Sequence, residues 1–130
     1  GHEAGDPKTV DINQRAVGLL ADAPGVAWAT FSTLCEEPRS AADYVEMARE
    51  YHTVLIEQIP LLDRDKEDAA RRFINLVDEF YDRNVKLIAT AAQLPETLYD
   101  GVRLRFEFDR TVSRLQEMRT QEYLKAEHRP

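Results

Sequence analysis

"TVLIEQIP", residues 53–60, and "ARRFINLVDEFYDRNVKLIATAA", residues 70–92, read together as strand, helix, strand. Val54 to Ile56 is an unbroken apolar run, the pattern of a strand buried on both faces, and Pro60 stops it. A helix is expected from about 65 to 83. Ala69, Phe73, Leu76 and Phe80 form one apolar stripe at helical spacing, and Ala70, Ile74, Val77 and Tyr81 form its neighbour. The combined face is wide enough to pack on a sheet. Asn84 suits the C-cap, and "VKLIATAA", 85–92, supplies a second buried strand. Two apolar strands joined by one helix form a parallel βαβ unit with a right-handed crossover.

Upstream, "SAADYVEMAREY" opens with a capping box, Ser40 at the N-cap and Asp43 three residues on, and Tyr44, Ala48 and Tyr51 line one side at helical spacing. Residues 8–31 alternate loosely and are broken by Gly and Pro. They predict short strands near 8–12, 16–20 and 26–31, the first two pairing as a hairpin across Asn13-Gln14, with "DAPG" as a turn. A helical turn is expected over Ser32 to Glu37, ended by Pro38. Downstream, "LPETLYDG" is a short helical excursion. "VRLRFEF" alternates as a strand with Leu104, Phe106 and Phe108 on one face, and Asp109 caps a last helix running to about 126. The predicted class is α/β: a small sheet with a parallel strand–helix–strand unit, N-terminal antiparallel strands and a C-terminal helix. Residues 1–7 read as a tag remnant and disordered lead, and 8–130 as one domain.

Bulk numbers narrow the function. The chain has 130 residues, 43% apolar and 32% charged, enough for one core. A net charge of −7 argues against nucleic acid as a partner, which needs a basic stripe. One cysteine, Cys35, excludes an internal disulfide and fits a reducing compartment. No apolar run approaches the roughly 20 residues of a membrane span, and no signal peptide is readable. No phosphate-binding glycine motif occurs, and the histidines, His2, His52 and His128, are scattered, which argues against a metal site. Cys35 has no neighbouring base and reads as buried filler. Glu57, near the end of a strand, stands where α/β folds place catalytic carboxylates, or it is a polar terminus meeting solvent.

Arg110 and Arg114 lie one turn apart on one helical face. They are either solvated charges, with Arg114 and Glu117 forming an i,i+3 pair, or a fork aimed at an anion such as phosphate. As solvated charges each is worth less than about 1 kcal/mol.

The stretches "FSTLCEEPRSAADYVEMAREYHTVLIEQIP", "ARRFINLVDEFYDRNVKLIATA" and "FEFDRTVSRLQEMRTQEYL" resemble the C-terminal part of the cell division protein ZapE family, AAA-type P-loop ATPases with relatives in mitochondria. The most specific pieces are Leu34-Cys35 with Asp43-Tyr44, Arg72-Phe73 with Asp78, and Arg110 with Ser113-Arg114-Leu115 and Glu117-Met118. The resemblance covers residues 26–126 and implies the C-terminal fragment of a larger ATPase. Its Walker A and Walker B segments would lie N-terminal to this region, and ATP and magnesium would bind to the parent and not to this piece alone. It further implies a nucleotide-sensing role for Arg110 or Arg114, a cytoplasmic location with the inner face of the membrane as a site of action, and division-machinery partners beside the chain's own N-terminal ATPase core. It leaves room for a homo-oligomeric parent. Residues 53–99 also have the layout of a Walker B and first-sensor unit, with Glu57 near the acids. Ala91 and Ala92 stand where polar sensor groups would, so the echo is structural. Two other functions compete with the accessory domain: a nucleotide-independent protein–protein interaction module, and a small α/β enzyme using Glu57 and Cys35.

If the stripe on the 65–83 helix is the core, Phe73→Ala costs about 3–5 kcal/mol in denaturant unfolding. Cooperative unfolding at unchanged midpoint would refute that packing.

Overall fold

A computed structural model describes residues 8–130, and residues 1–7, where the tag remnant and lead are expected, lie outside the described residues. The chain is α/β. Strands β1 (Lys8–Ile12) and β2 (Arg15–Leu19) form an antiparallel hairpin. Asn13 and Gln14 turn it with φ of 52° and 67°, the left-handed pair that a two-residue turn between right-twisted strands requires. A four-stranded sheet follows, in the order β3 (Ala21–Ala23), β4 (Val26–Thr30), β5 (Thr53–Ile59) and β6 (Lys86–Ala91). β3 is an addition to the predicted strands: only Pro24 and Gly25 of "DAPG" turn the chain, because Gly25 takes φ 75° and a Cβ there would collide with the His52 ring. β3 pairs antiparallel with β4, whereas β4–β5 and β5–β6 are parallel. The strand–helix–strand unit therefore forms as expected, and a second one precedes it.

Each parallel pairing needs a crossover helix. The first crossover holds a π-helical turn, Ser32–Glu36, and α1 (Ala41–Glu50); the second holds α2 (Glu67–Asp82), entered through a 3₁₀ turn at Arg64–Lys66. α2 ends at Arg83, and Asn84 follows it with φ 57° in the left-handed conformation usual just past a helix end. Both helices pack on the same face of the sheet. Its inner side chains, Ala27, Ala29, Val54 and Ile56, are buried beneath Tyr44, Met47, Phe73, Ile74 and Val77. Phe73 sits between Phe31 and Phe108, with ring centroids 6.0 and 6.3 Å away.

Three expectations are corrected. Residues 102–108 are not a strand. α4 (Arg105–Glu117) already begins at Arg105, so Asp109 is inside the helix and not its cap. Leu104, Phe108, Thr111 and Met118 are buried at helical spacing while Phe106 is 78% exposed. An alternation of three aromatic or apolar residues fits both periods, and packing against α2 selected the helical one. The last helix also breaks: after α4 the chain turns at Met118–Thr120 and re-forms α5 (Gln121–Lys125), capped by the Thr120 hydroxyl accepting from the Tyr123 amide at 3.2 Å. Finally, β5 and β6 are not buried on both faces. Val54 and Ile56 are buried inward, but Leu55 and Glu57 are half-buried, and Ala89–Ala91 are exposed because β6 is an edge strand. The short α3 (Pro95–Leu98) matches the predicted excursion.

The hairpin is tied to α1 through Asp43. Its buried carboxylate accepts from the Ser40 amide at 3.0 Å, closing the predicted capping box, from Asn13, and in an ion pair from Arg15. Burial opposes ionisation of Asp43, but these donors outweigh it and hold the carboxyl below its usual range. A carboxyl held low contributes stability that is complete above its unfolded value of about 3.9 and is lost as pH falls through the lower folded value. We expect Asp43→Ala to cost about 1–3 kcal/mol at pH 7 by stranding three donors, with the gap from wild type closing in urea melts as the pH falls below the unfolded carboxyl value of about 3.9. A gap that persists undiminished into acid would show that the carboxylate charge is not the stabilising element.

Candidate functional site

α4 lies across α2, its position set by Phe108, which stacks on Phe73 and on Tyr99 at 5.2 Å. This packing decides where the two arginines go. Arg114 reaches α2, where it forms a close ion pair with Asp78, and its guanidinium stands 5.2 Å from the Tyr81 ring centroid. Both partners of the pair are 27% exposed. Tyr81 in turn stacks on Tyr123 of α5 at 6.0 Å, and its hydroxyl faces Glu117, whose carboxylate is the first cause of the raised Tyr81 pKa. The expected Arg114–Glu117 pair is thus replaced by Arg114–Asp78. Arg110, one turn before it, is exposed and has no hydrogen bond or ion pair among the described residues. Nor does it pair with Asp109, which faces Arg105 at 3.6 Å. With the helix starting at Arg105, Arg110 is in the second turn, beyond the reach of the helix N-terminus.

Glu57 stands apart from both. It is on the outer face of β5, beside Thr30 in register, and accepts from the Trp28 indole N–H at 2.5 Å. α4 packs on the helix layer of the opposite face, so the sheet separates Glu57 from Arg110 and Arg114. Cys35 is buried in the π-helical turn. Burial pushes its thiol up to about 12, against the weaker pull of the Tyr44 hydroxyl 4.0 Å away. A thiol held protonated this way is no nucleophile near neutral pH.

An apolar groove of about 400 Å³ lies between β6, α3 and α4, lined by Leu87, Ala89, Leu94, Leu98, Leu115 and Met118. The three described glycines, Gly18, Gly25 and Gly101, are far apart in sequence and form no phosphate loop, and no group of three acidic, His or Cys side chains among the described residues could hold a metal ion. No described helix is long and apolar enough to cross a membrane.

The model of the AFG1-like ATPase family matches residues 2–127. The chain belongs to that family. Among its relatives is the cell division protein ZapE of Escherichia coli K12, 46% identical over 120 residues, which are 92% of this chain and 32% of ZapE. Lactation elevated protein 1 homolog B of Danio rerio is 32% identical over 149 residues, 90% of this chain and 30% of that protein. An uncharacterised Schizosaccharomyces pombe protein is 30% identical, with coverage of 88% and 32%. The chain therefore spans about a third of the length of these curated relatives. No solved structure matches it.

For this AFG1-like ATPase chain, sequence reasoning found both arginines but missed Asp78 and Tyr81 as the groups that hold one of them. The available signal was the doubled stripe on α2: a residue flanking it, such as Asp78, meets whatever helix packs there. We expect Arg114→Ala to cost about 1–2 kcal/mol, more than an exposed pair because the cation–π contact is lost with it, and to lower the melting temperature by about 4–8 °C. Arg110→Ala should leave the melting temperature unchanged. Equal melting of the two variants would refute a structural role for the Arg114–Asp78 pair.

Proposed function

We propose that this chain is the C-terminal accessory domain of a ZapE-like ATPase acting in bacterial cell division, and that it is inactive on ATP alone. The observation that carries the reading is the 46% identity to ZapE across 92% of the chain, together with the lack of a phosphate loop among the described residues. ATP and magnesium belong to an N-terminal ATPase core of the parent, and the partners are that core and division-machinery proteins. The location is cytoplasmic, with action at the inner face of the membrane. Of the two arginines, Arg110 is our choice for the group that approaches nucleotide in the intact enzyme. It is an uncommitted cation on a helix fixed by Phe108, whereas Arg114 is held by Asp78. Guanidinium suits such a role because it binds phosphate in a fork and never loses its charge.

The test is steady-state ATP turnover of the full-length protein. Arg110→Ala should lower it about tenfold or more, without loss of folding, and Arg110→Lys should restore part of it. Normal turnover in Arg110→Ala would assign this face to partner binding independent of nucleotide.

A further inference from the structure

No described helix covers the outer face of the sheet, and its sequence is not that of an uncovered face. β4, β5 and β6 run parallel, and both crossovers, through α1 and α2, return on the inner side. Crossovers of one hand that step through neighbouring strands in one direction always place their helices on the same face. The outer side chains pair in three rows: Val26, Thr53 and Lys86; Trp28, Leu55 and Ile88; Thr30 and Glu57, with Thr90 beyond them on β6. The middle row is apolar across all three strands, and its last member, Ile88, is 57% exposed. Parallel sheets occur with both faces covered, and their strands read as continuous apolar runs because of it. "VLI" and "LIA" are such runs, yet the described helices cover only one face.

We propose that this outer face is the docking surface for an apolar helix face of the parent ATPase core, centred on Trp28, Leu55 and Ile88. The inference rests on the reading of the chain as part of a longer ATPase. It is supported by relatives about three times the length of the matched region, which have chain to spare for a second helix layer. Around the apolar row, Lys86 is tied to the carbonyls of Asn84 and Ala126, and Glu57 is tied to Trp28, so few charges need to be freed on docking. Covering the row completes a three-layer arrangement, helices on both faces of a parallel sheet.

Ile88→Cys provides the probe, since Cys35 is fully buried. Maleimide labelling at position 88, located by peptide mass, should be about tenfold or more slower in the full-length protein than in the 130-residue chain. Ile88→Asp should leave the melting of the 130-residue chain within a few degrees, and in the full-length protein it should restore fast labelling of a Thr90→Cys probe beside it. Equal labelling at position 88 in both proteins overturns the proposal. So does protection that appears in the 130-residue chain alone and grows with concentration alongside a sedimenting dimer, which would assign the face to a second copy. Normal ATP turnover of the full-length protein with equal labelling sinks the docking face alone. Absent turnover sinks the ATPase reading, and the labelling ratio still judges the docking.

Discussion

The parallel pairing of β4, β5 and β6 constrains everything else in this chain. Parallel strands cannot be joined by tight turns, so each pairing requires a crossover long enough to hold a helix. Because the strands step in one direction, both helices fall on one side and meet each other there. Phe31, Phe73 and Phe108 meet ring to ring through the resulting core, each from a different segment: the end of β4, α2 and α4. The aromatic column turns a local βαβ pattern into a platform on which α4 has one place to lie.

Two charged anchors then fix what the core leaves loose. Asp43 joins the hairpin to α1, and Asp78 joins α4 to α2 through Arg114. Each anchor draws in a further group. Asp43 caps a helix and pairs with a distant arginine, while Asp78 holds a guanidinium that also rests over Tyr81. This shared use accounts for the different standing of the two arginines. One turn of helix separates them, yet one faces α2 and the other faces solvent.

The exposed faces follow from the same constraint. With both crossover helices on the inner side, none of the described helices covers Trp28, Leu55 and Ile88. The apolar groove beside β6 arises because α3 and α4 flank that edge strand without closing over it. Both are apolar surfaces that the described elements leave open.

Much of this was legible along the chain. The doubled stripe of α2, the run "VLI", the Ser40–Asp43 cap and the Asn13-Gln14 turn each carry a local signal: periodicity, branching, a short polar side chain, or tolerance of positive φ. Those signals act within a few residues, so they determined the βαβ unit and the hairpin without help from the rest of the chain. They failed at "VRLRFEF", where seven residues satisfy either period and only contact of Phe108 with Phe73 and Tyr99 chose the helix. They also marked β5 and β6 as strands needing two covered faces but could not say that this chain covers one. For the candidate site, the sequence by itself determined that two cations share a helical face. Only the tertiary structure decided that Arg114 is bound to Asp78 while Arg110 has no partner among the described residues, because an ion pair across 36 residues of sequence depends on which helix packs against which.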